Sequence, residues 1–361
     1  MRLVQAFAML LFASACERSG PSEPGPAPSA SFSPETFRAQ AVASALAGVR
    51  SRLSLAAPAW PSQPLAFGRR LLVRVLPDRV ETFRVPELTL AYERPLPGAL
   101  AVGGLAQGSL LVVGSEAALR IDPGAKAAAP LPPVVWVPGT ELVPERRDPG
   151  LFWALQRGSR LLARQRLQGP RPAAPAPEDI VTLESYEGGA LAALRDGTIL
   201  YAASDGVRHG HPGFRSKPWR PSFEPWRLLP GRRIDQAWAI GANGAVELWQ
   251  LTDRLVVVTS FALGAPPFDA AASSDHLAAV VVDEGKDHPR RFRLVVHGND
   301  GARVLERALP EGPPPSGENW AELAVRDRHV ALSDGEPLVA VGGPGALLVL
   351  RLPGGEVALQ R

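Results

Sequence analysis

The chain is poor in residues on which several common kinds of protein depend. Cys16 is the only cysteine among 361 residues, so no intrachain disulfide can form and no thiolate cluster can hold zinc. Lysine is almost missing: Lys126, Lys217 and Lys286 stand alone, and arginine supplies the other 36 of the 39 basic residues. The arginines lie among acidic residues, the longest basic runs are pairs such as Arg69-Arg70 and Arg232-Arg233, and the net charge is only +3. No basic stripe exists that could track a phosphate backbone, so the pI of 9.4 reads as a solvated mixed surface and no nucleic-acid partner is expected. No run of about 20 uncharged apolar residues occurs, which excludes a polytopic membrane protein. Compact catalytic signatures are missing too: no nucleophile elbow, H-E-x-x-H, Walker A, dinucleotide G-x-G-x-x-G or EF-hand loop. No cofactor is therefore expected, and only an enzyme assembled from dispersed loops stays open.

What the chain has in quantity is glycine and proline, 35 and 38 residues, alongside 45% hydrophobic residues. The apolar fraction suffices for a sizeable core. The turn formers argue against a helix bundle, because long helices tolerate neither residue.

Met1-Arg2 is a short positive start, and residues 3–15 (LVQAFAMLLFASA) are uncharged. Thirteen residues rise about 20 Å as a helix, short of a bilayer core of about 30 Å. A short apolar segment behind one positive charge reads as a secretory signal. It closes on Ala13-Ser14-Ala15 and then Cys16. This arrangement resembles the lipobox of bacterial lipoproteins, with Ala13 where that family usually has Leu. The resemblance implies cleavage before Cys16, a lipidated Cys16 as membrane anchor, and residence in the bacterial cell envelope. Glu17 follows the anchor where an Asp would retain the protein in the inner membrane, so the outer membrane is favoured. Two or three acyl chains hold a protein stably where one does not. Residues 16–33 then read as a tether: eleven of the fifteen residues 20–34 are Gly, Pro or Ser, a composition that cannot offset its ordering entropy.

One helix is expected over 34–54. Ser33 can cap it, Pro34 suits its first turn, and Phe37, Ala41, Ala45 and Val49 recur every four residues. From residue 55 to 361 the pattern becomes short apolar runs between turn signals. Leu71–Val75, Leu110–Val113, Leu151–Leu155, Ile199–Ala203, Val246–Leu251, Leu255–Phe261, Leu277–Val282, Phe292–Val296 and Leu347–Leu352 have strand length. Asp196-Gly197, Asp205-Gly206, Asn243-Gly244, Asp300-Gly301 and Asp334-Gly335 are hairpin dipeptides. The body offers no crossover helices, so the class is all-β and antiparallel.

Gly108, Gly158, Gly197, Gly244 and Gly285 each sit between two apolar strands, at a mean spacing near 44 residues. That matches a four-stranded propeller blade of about 40–45 residues. The expected fold is a single β-propeller of seven four-stranded blades, with six or eight as neighbouring solutions and a multi-sheet β-sandwich as the alternative. The strands near 346–360 are expected to close the ring by pairing with a strand from the start of the body, such as 71–75. The segment Leu191–Gly206 (LAALRDGTILYAASDG) resembles a blade of WD-repeat or quinoprotein-like propellers.

His209-Gly210-His211 is the one ligand-like pair, with Asp205 the nearest carboxylate. Without a third and fourth ligand no metal is expected. His276, His288, His297 and His329 read as isolated loop histidines. Residues 209–226 break the strand rhythm and carry Phe214, Trp219, Phe223 and Trp226 between four prolines. This segment reads as a long loop. It is a binding surface if the rings are exposed and a packing element if they are buried. The expected function is a monomeric, envelope-anchored scaffold that binds a protein partner, analogous in anchor and fold to the lipoprotein propeller of the outer-membrane barrel-assembly machinery. The rival is a propeller-based hydrolase or lyase with its site at the channel mouth. Acidic and histidine groups clustered there favour the enzyme, and an apolar or aromatic patch favours the binder.

Overall fold

A computed structural model describes residues 64–361 except 105–107, 115–117, 125–128, 132–139, 145–150, 157–160, 167–179, 187–189, 195–197, 211–216, 284–290, 311–327 and 344. The expected signal (1–15), Cys16, the tether and the helix over 34–54 lie outside the described residues, as do His211, Phe214 and His288.

The described residues form seven antiparallel sheets, each made of strands consecutive in the chain. Blade 1 is β1 (Leu65–Phe67), β2 (Leu71–Val75), β3 (Arg79–Arg84) and β4 (Thr89–Pro95). Blade 2 is β5 (Ala99–Gly104), β6 (Leu110–Gly114), β7 (Ala118–Ile121) and β8 (Ala129–Leu131). Blade 3 is β9 (Thr140–Pro144), β10 (Leu151–Gln156), β11 (Leu161–Arg166) and β12 (Ile180–Thr182). Blade 4 has three strands, β13 (Leu191–Ala193), β14 (Ile199–Ala203) and β15 (Gly206–Gly210). Blade 5 is β16 (Pro225–Pro230), β17 (Gln236–Gly241), β18 (Ala245–Leu251) and β19 (Leu255–Ala262). Blade 6 is β20 (Pro267–Ala272), β21 (His276–Asp283), β22 (Arg291–Gly298) and β23 (Arg303–Ala308). Blade 7 is β24 (His329–Leu332), β25 (Leu338–Gly342), β26 (Leu347–Arg351) and β27 (Glu356–Gln360).

The first strands of the blades touch in turn, β1 to β5, β9, β13, β16, β20, β24 and back to β1. The ring is closed, and the first strands surround its axis. The protein is an all-β, seven-bladed propeller.

Strand chemistry follows position in the blade. Second strands such as β2, β17 and β25 lie between two neighbouring blades, so both of their faces are buried, and apart from Arg74 and Gln236 they read as apolar runs. β17, QAWAIG, is buried at every residue. Its period of two still sorts the side chains: Trp238 and Ile240 enter the cluster shared with blade 6, while Ala237 and Ala239 enter the one shared with blade 4. β21 and β25 divide the same way. Ala278 and Val280 face the cluster that Val339 and Val341 share, Leu277 and Ala279 face blade 5, and Leu338 and Ala340 face blade 1. Each fully buried Leu or Val contributes about 1.5–3 kcal/mol, so these seams carry most of the stability.

Ring closure differs from the strand exchange expected. β26 and β27 pair within blade 7, and β2 pairs only with β1 and β3. Blade 7 already has four strands of its own and needs none from blade 1. The seam closes through side chains instead. Leu72, Phe83 and Val85 pack with Ala340, Leu347 and Val349. Arg74 Nε donates to the Gly343 carbonyl at 2.8 Å, and Arg74 Nη1 reaches Glu81 Oε2 at 3.3 Å. Arg361 Nη2 lies 3.3 Å from Glu81 Oε1.

Candidate functional site

The residues singled out on the 209–226 segment do not form one loop. His209 belongs to β15, and Trp226 to β16. Between them Trp219 makes a two-way backbone bridge to Val207, with N–H to O distances of 2.8 Å in both directions. Trp219 thus occupies the place of a fourth strand beside β15. Gly206 makes this approach feasible, since a Cβ there would meet the Trp219 carbonyl oxygen at 2.3 Å.

The rings divide between two seams. Trp219 and Phe223 are half-buried against the cluster between blades 4 and 5, together with Leu251 and Leu255. The His209 and Trp219 ring centroids are 4.1 Å apart at 61°. Trp226 instead packs against the cluster between blades 5 and 6, with the Arg227 guanidinium 6.0 Å from its ring. The structure brings His209, Trp219 and Phe223 together and leaves Trp226 one seam away. Asp205, the carboxylate closest in sequence to the histidine pair, accepts from Arg208 Nε at 3.1 Å. That hydrogen bond, outweighing burial, holds its carboxyl below the usual carboxylate range. Among the described residues no three His, Cys, Asp or Glu groups converge.

A second constellation lies along the ring axis. A cavity of about 210 Å³ is lined by β1, β16, β20 and β24, mostly by apolar residues, Ala66, Ala270, Ala271 and Ala331 among them. Its polar wall is Arg227, Asp269 and His329. Asp269 Oδ1 accepts from Arg227 Nη1 of blade 5. Its Oδ2 accepts from the Val330 amide of blade 7 at 2.9 Å, with His329 Nδ1 3.4 Å away. Burial pushes the Asp269 carboxyl up. The Arg227 charge, the hydrogen bond and charge of His329, and the Val330 amide outweigh it and keep the group below the usual range. Asp269 is therefore an anion at neutral pH that ties three blades together.

Sequence reading missed this site. Asp269 sits in an apolar run, PFDAAA, and its partners lie 42 and 61 positions away. The only local signal was a carboxylate inside that run. Three histidines read as isolated loop residues are strand residues, His276 among them as the first residue of β21. His329 opens β24 beside Asp269, and His297 is buried in β22. His297 Nδ1 lies 3.0 Å from the Gly301 carbonyl oxygen and its ring stacks on Phe261 at 4.3 Å. Its Nε2 is buried without a partner, and burial pushes its pKa down.

No family model matches the chain, and no curated protein sequence does. Solved structures do match it in shape. Kluyveromyces lactis Hsv2 is similar at 12% identity with a TM-score of 0.52, covering 80% of this chain and 93% of that one. The β-propeller domain of Myceliophteria thermophila Cps50 (Swd1) is similar at 14% identity and 0.53, covering 80% and 94%. A chain of the Mitotic Checkpoint Complex is similar at 11% and 0.50, covering 78% and 83%. At these identities the likeness is one of fold, a β-propeller.

Proposed function

We propose that the chain is a lipoprotein of the bacterial cell envelope whose propeller acts as a protein-binding scaffold, held on the outer membrane through lipidated Cys16 and the tether of residues 16–33. The observation that carries the binding reading is the rim between blades 4 and 5. There Trp219, held by its backbone bridge to Val207, and Phe223 beside it are half-buried. Fixed aromatic rings lose little entropy on docking. The rival enzyme reading would draw on the axial cluster. Asp269, however, already accepts from Arg227 and the Val330 amide and lies beside His329, an arrangement that suits a clasp better than a general base. One of the solved neighbours is a chain of the Mitotic Checkpoint Complex, a setting in keeping with a propeller that binds protein.

The test has two arms. Intact mass of the protein from native membranes should show a chain beginning at Cys16 with acyl additions, and Cys16→Ser should leave the membrane fraction or stay unprocessed. A free Cys16 thiol refutes the anchor. Cross-linking and purification from those membranes should recover a partner that Trp219→Ala loses while its membrane fraction is unchanged. If Trp219→Ala recovers the same partner in the same yield, the rim is not the binding surface.

A further inference from the structure

Outer strands of propeller blades have an open edge, and most of the long ones here are blunted twice. In blades 1, 5, 6 and 7 the pairing of third and fourth strands slips by one residue, at Thr82/Phe83, Leu248/Trp249, Val296/His297 and Val349/Leu350. Such bulges twist an edge away from a would-be neighbour. Three of the four also carry charge: β4 has Glu93 and Arg94, β23 has Arg303, Glu306 and Arg307, and β27 has Glu356.

The exception is β19. Its eight residues, LVVVTSFA, contain no charge and no proline. Val256, Val257 and Val258 are 38%, 44% and 48% exposed. Three consecutive exposed valines on a strand that should alternate reflect the bulge, where Val258 is the extra residue between Val257 and Thr259. Among the described residues no strand pairs with the outer edge of β19, so the strand presents branched apolar side chains on both faces of an open backbone edge.

We propose that the chain forms a two-fold dimer by antiparallel edge-to-edge pairing of β19 with β19 of a second copy. This departs from the monomer expected from the sequence and goes beyond the scaffold reading. A strand paired with its own copy about a two-fold axis faces its own residues, so an edge without charges is self-compatible. A foreign partner is usually steered by charge, and this edge has none to steer with. Pairing joins the outward N–H and C=O groups and covers three valines from each copy. An eight-residue strand is about 27 Å long. It covers less than the roughly 800 Å² per partner of a stable interface, so the dimer is weak.

The full chain carrying Cys16→Ser, held soluble in mild detergent, is examined by sedimentation velocity from about 1 to about 300 µM, the range suited to an interface this small. The expected result is a monomer–dimer equilibrium within that range. Val257→Lys should weaken it at least about tenfold, while Leu90→Lys, on the exposed edge of β4, should leave it unchanged. The same background lacks any other thiol. Oxidation of Val256→Cys, Val257→Cys and Val258→Cys in turn should therefore cross-link chains most strongly at the residue nearest the two-fold axis, and Leu90→Cys should give none. A monomer throughout the range, a Val257→Lys dimer as tight as its parent, or equal cross-linking at Leu90→Cys overturns the proposal.

Discussion

Replacing Asp269 with alanine removes one carboxylate and disturbs three blades. Arg227 loses its counter-charge, and the buried Val330 amide loses its acceptor. Breaking a buried pair by removing one partner costs about 3–5 kcal/mol. An unsatisfied buried amide costs about 1–3 kcal/mol. The Arg227 side chain is 28% exposed and can regain water along the axis, so the sum is discounted to about 3 kcal/mol. Asp269→Asn keeps one acceptor oxygen and should cost about 2 kcal/mol, between the two limits. The assays are urea unfolding of the Cys16→Ser chain for the free energies and thermal unfolding, with the melting temperature falling about 5 °C for Asp269→Ala. A cycle with Arg227→Met should give a coupling of about 1.5–3 kcal/mol. The folded-state pKa of Asp269 lies below its unfolded value of about 3.9. The carboxylate therefore adds stability that is complete above about pH 5 and is lost as pH falls through 4 and below. The difference between parent and Asp269→Asn should shrink over that same interval. A cost under about 1 kcal/mol for Asp269→Ala with no coupling to Arg227 would refute the clasp.

Other perturbations test other joints. Gly206→Ala places a Cβ against the Trp219 carbonyl oxygen at a φ of 139°. It should lower the melting temperature and raise amide exchange at Val207 and Trp219, whereas unchanged exchange means the bridge is not held there. Glu81→Ala strips the buried Arg74 guanidinium of its carboxylate and should destabilise by about 3 kcal/mol in urea. A neutral result would show that the Arg74–Glu81 pair adds nothing to ring closure. His297 has a folded-state pKa below its ordinary value because it is buried, so its stabilisation is complete above about pH 6.5 and is lost as pH falls below that. Comparing unfolding at pH 7.5 and 5.5, His297→Asn should lose much of the parent's acid sensitivity in that interval.

How much of this was legible depended on burial. Second strands such as Leu71–Val75 and Leu277–Val282 stood out because both faces are covered, which makes them apolar runs, broken in the first only by Arg74. First strands did not. β1 is LAF, β13 is LAA and β20 is PFDAAA, short and small because the blades crowd near the axis. The glycine spacing gave the right blade number while mixing two kinds of turn. Gly108 and Gly197 fall between first and second strands, whereas Gly158, Gly244 and Gly285 fall between second and third. A better marker lay unread in the third strands. Glu81, Arg120, Arg208, Glu247 and Arg293 each occupy the third position of β3, β7, β15, β18 and β22, behind a buried apolar residue. Each meets a local partner, such as Asp122 for Arg120, Trp249 for Glu247 or Asp283 for Arg293. The axial site stayed hidden because its groups come from three blades and meet only when the ring closes.

Closure by side chains instead of by an exchanged strand also shapes how the ring is made. Every blade is local in the chain, so each can form as soon as its own strands are available. The Arg74–Gly343 bond spans 269 positions and must wait for all seven. Until then the molecule is an open arc whose two end faces, Leu72 and Phe83 on one side and Ala340 and Val349 on the other, are bare and complementary. Complementary end faces on an open arc fit those of another arc as well as their own. Joining one's own ends is a first-order event and joining a neighbour's is second-order. The yield of closed rings therefore falls with synthesis rate and local crowding, even when the finished ring is fully stable.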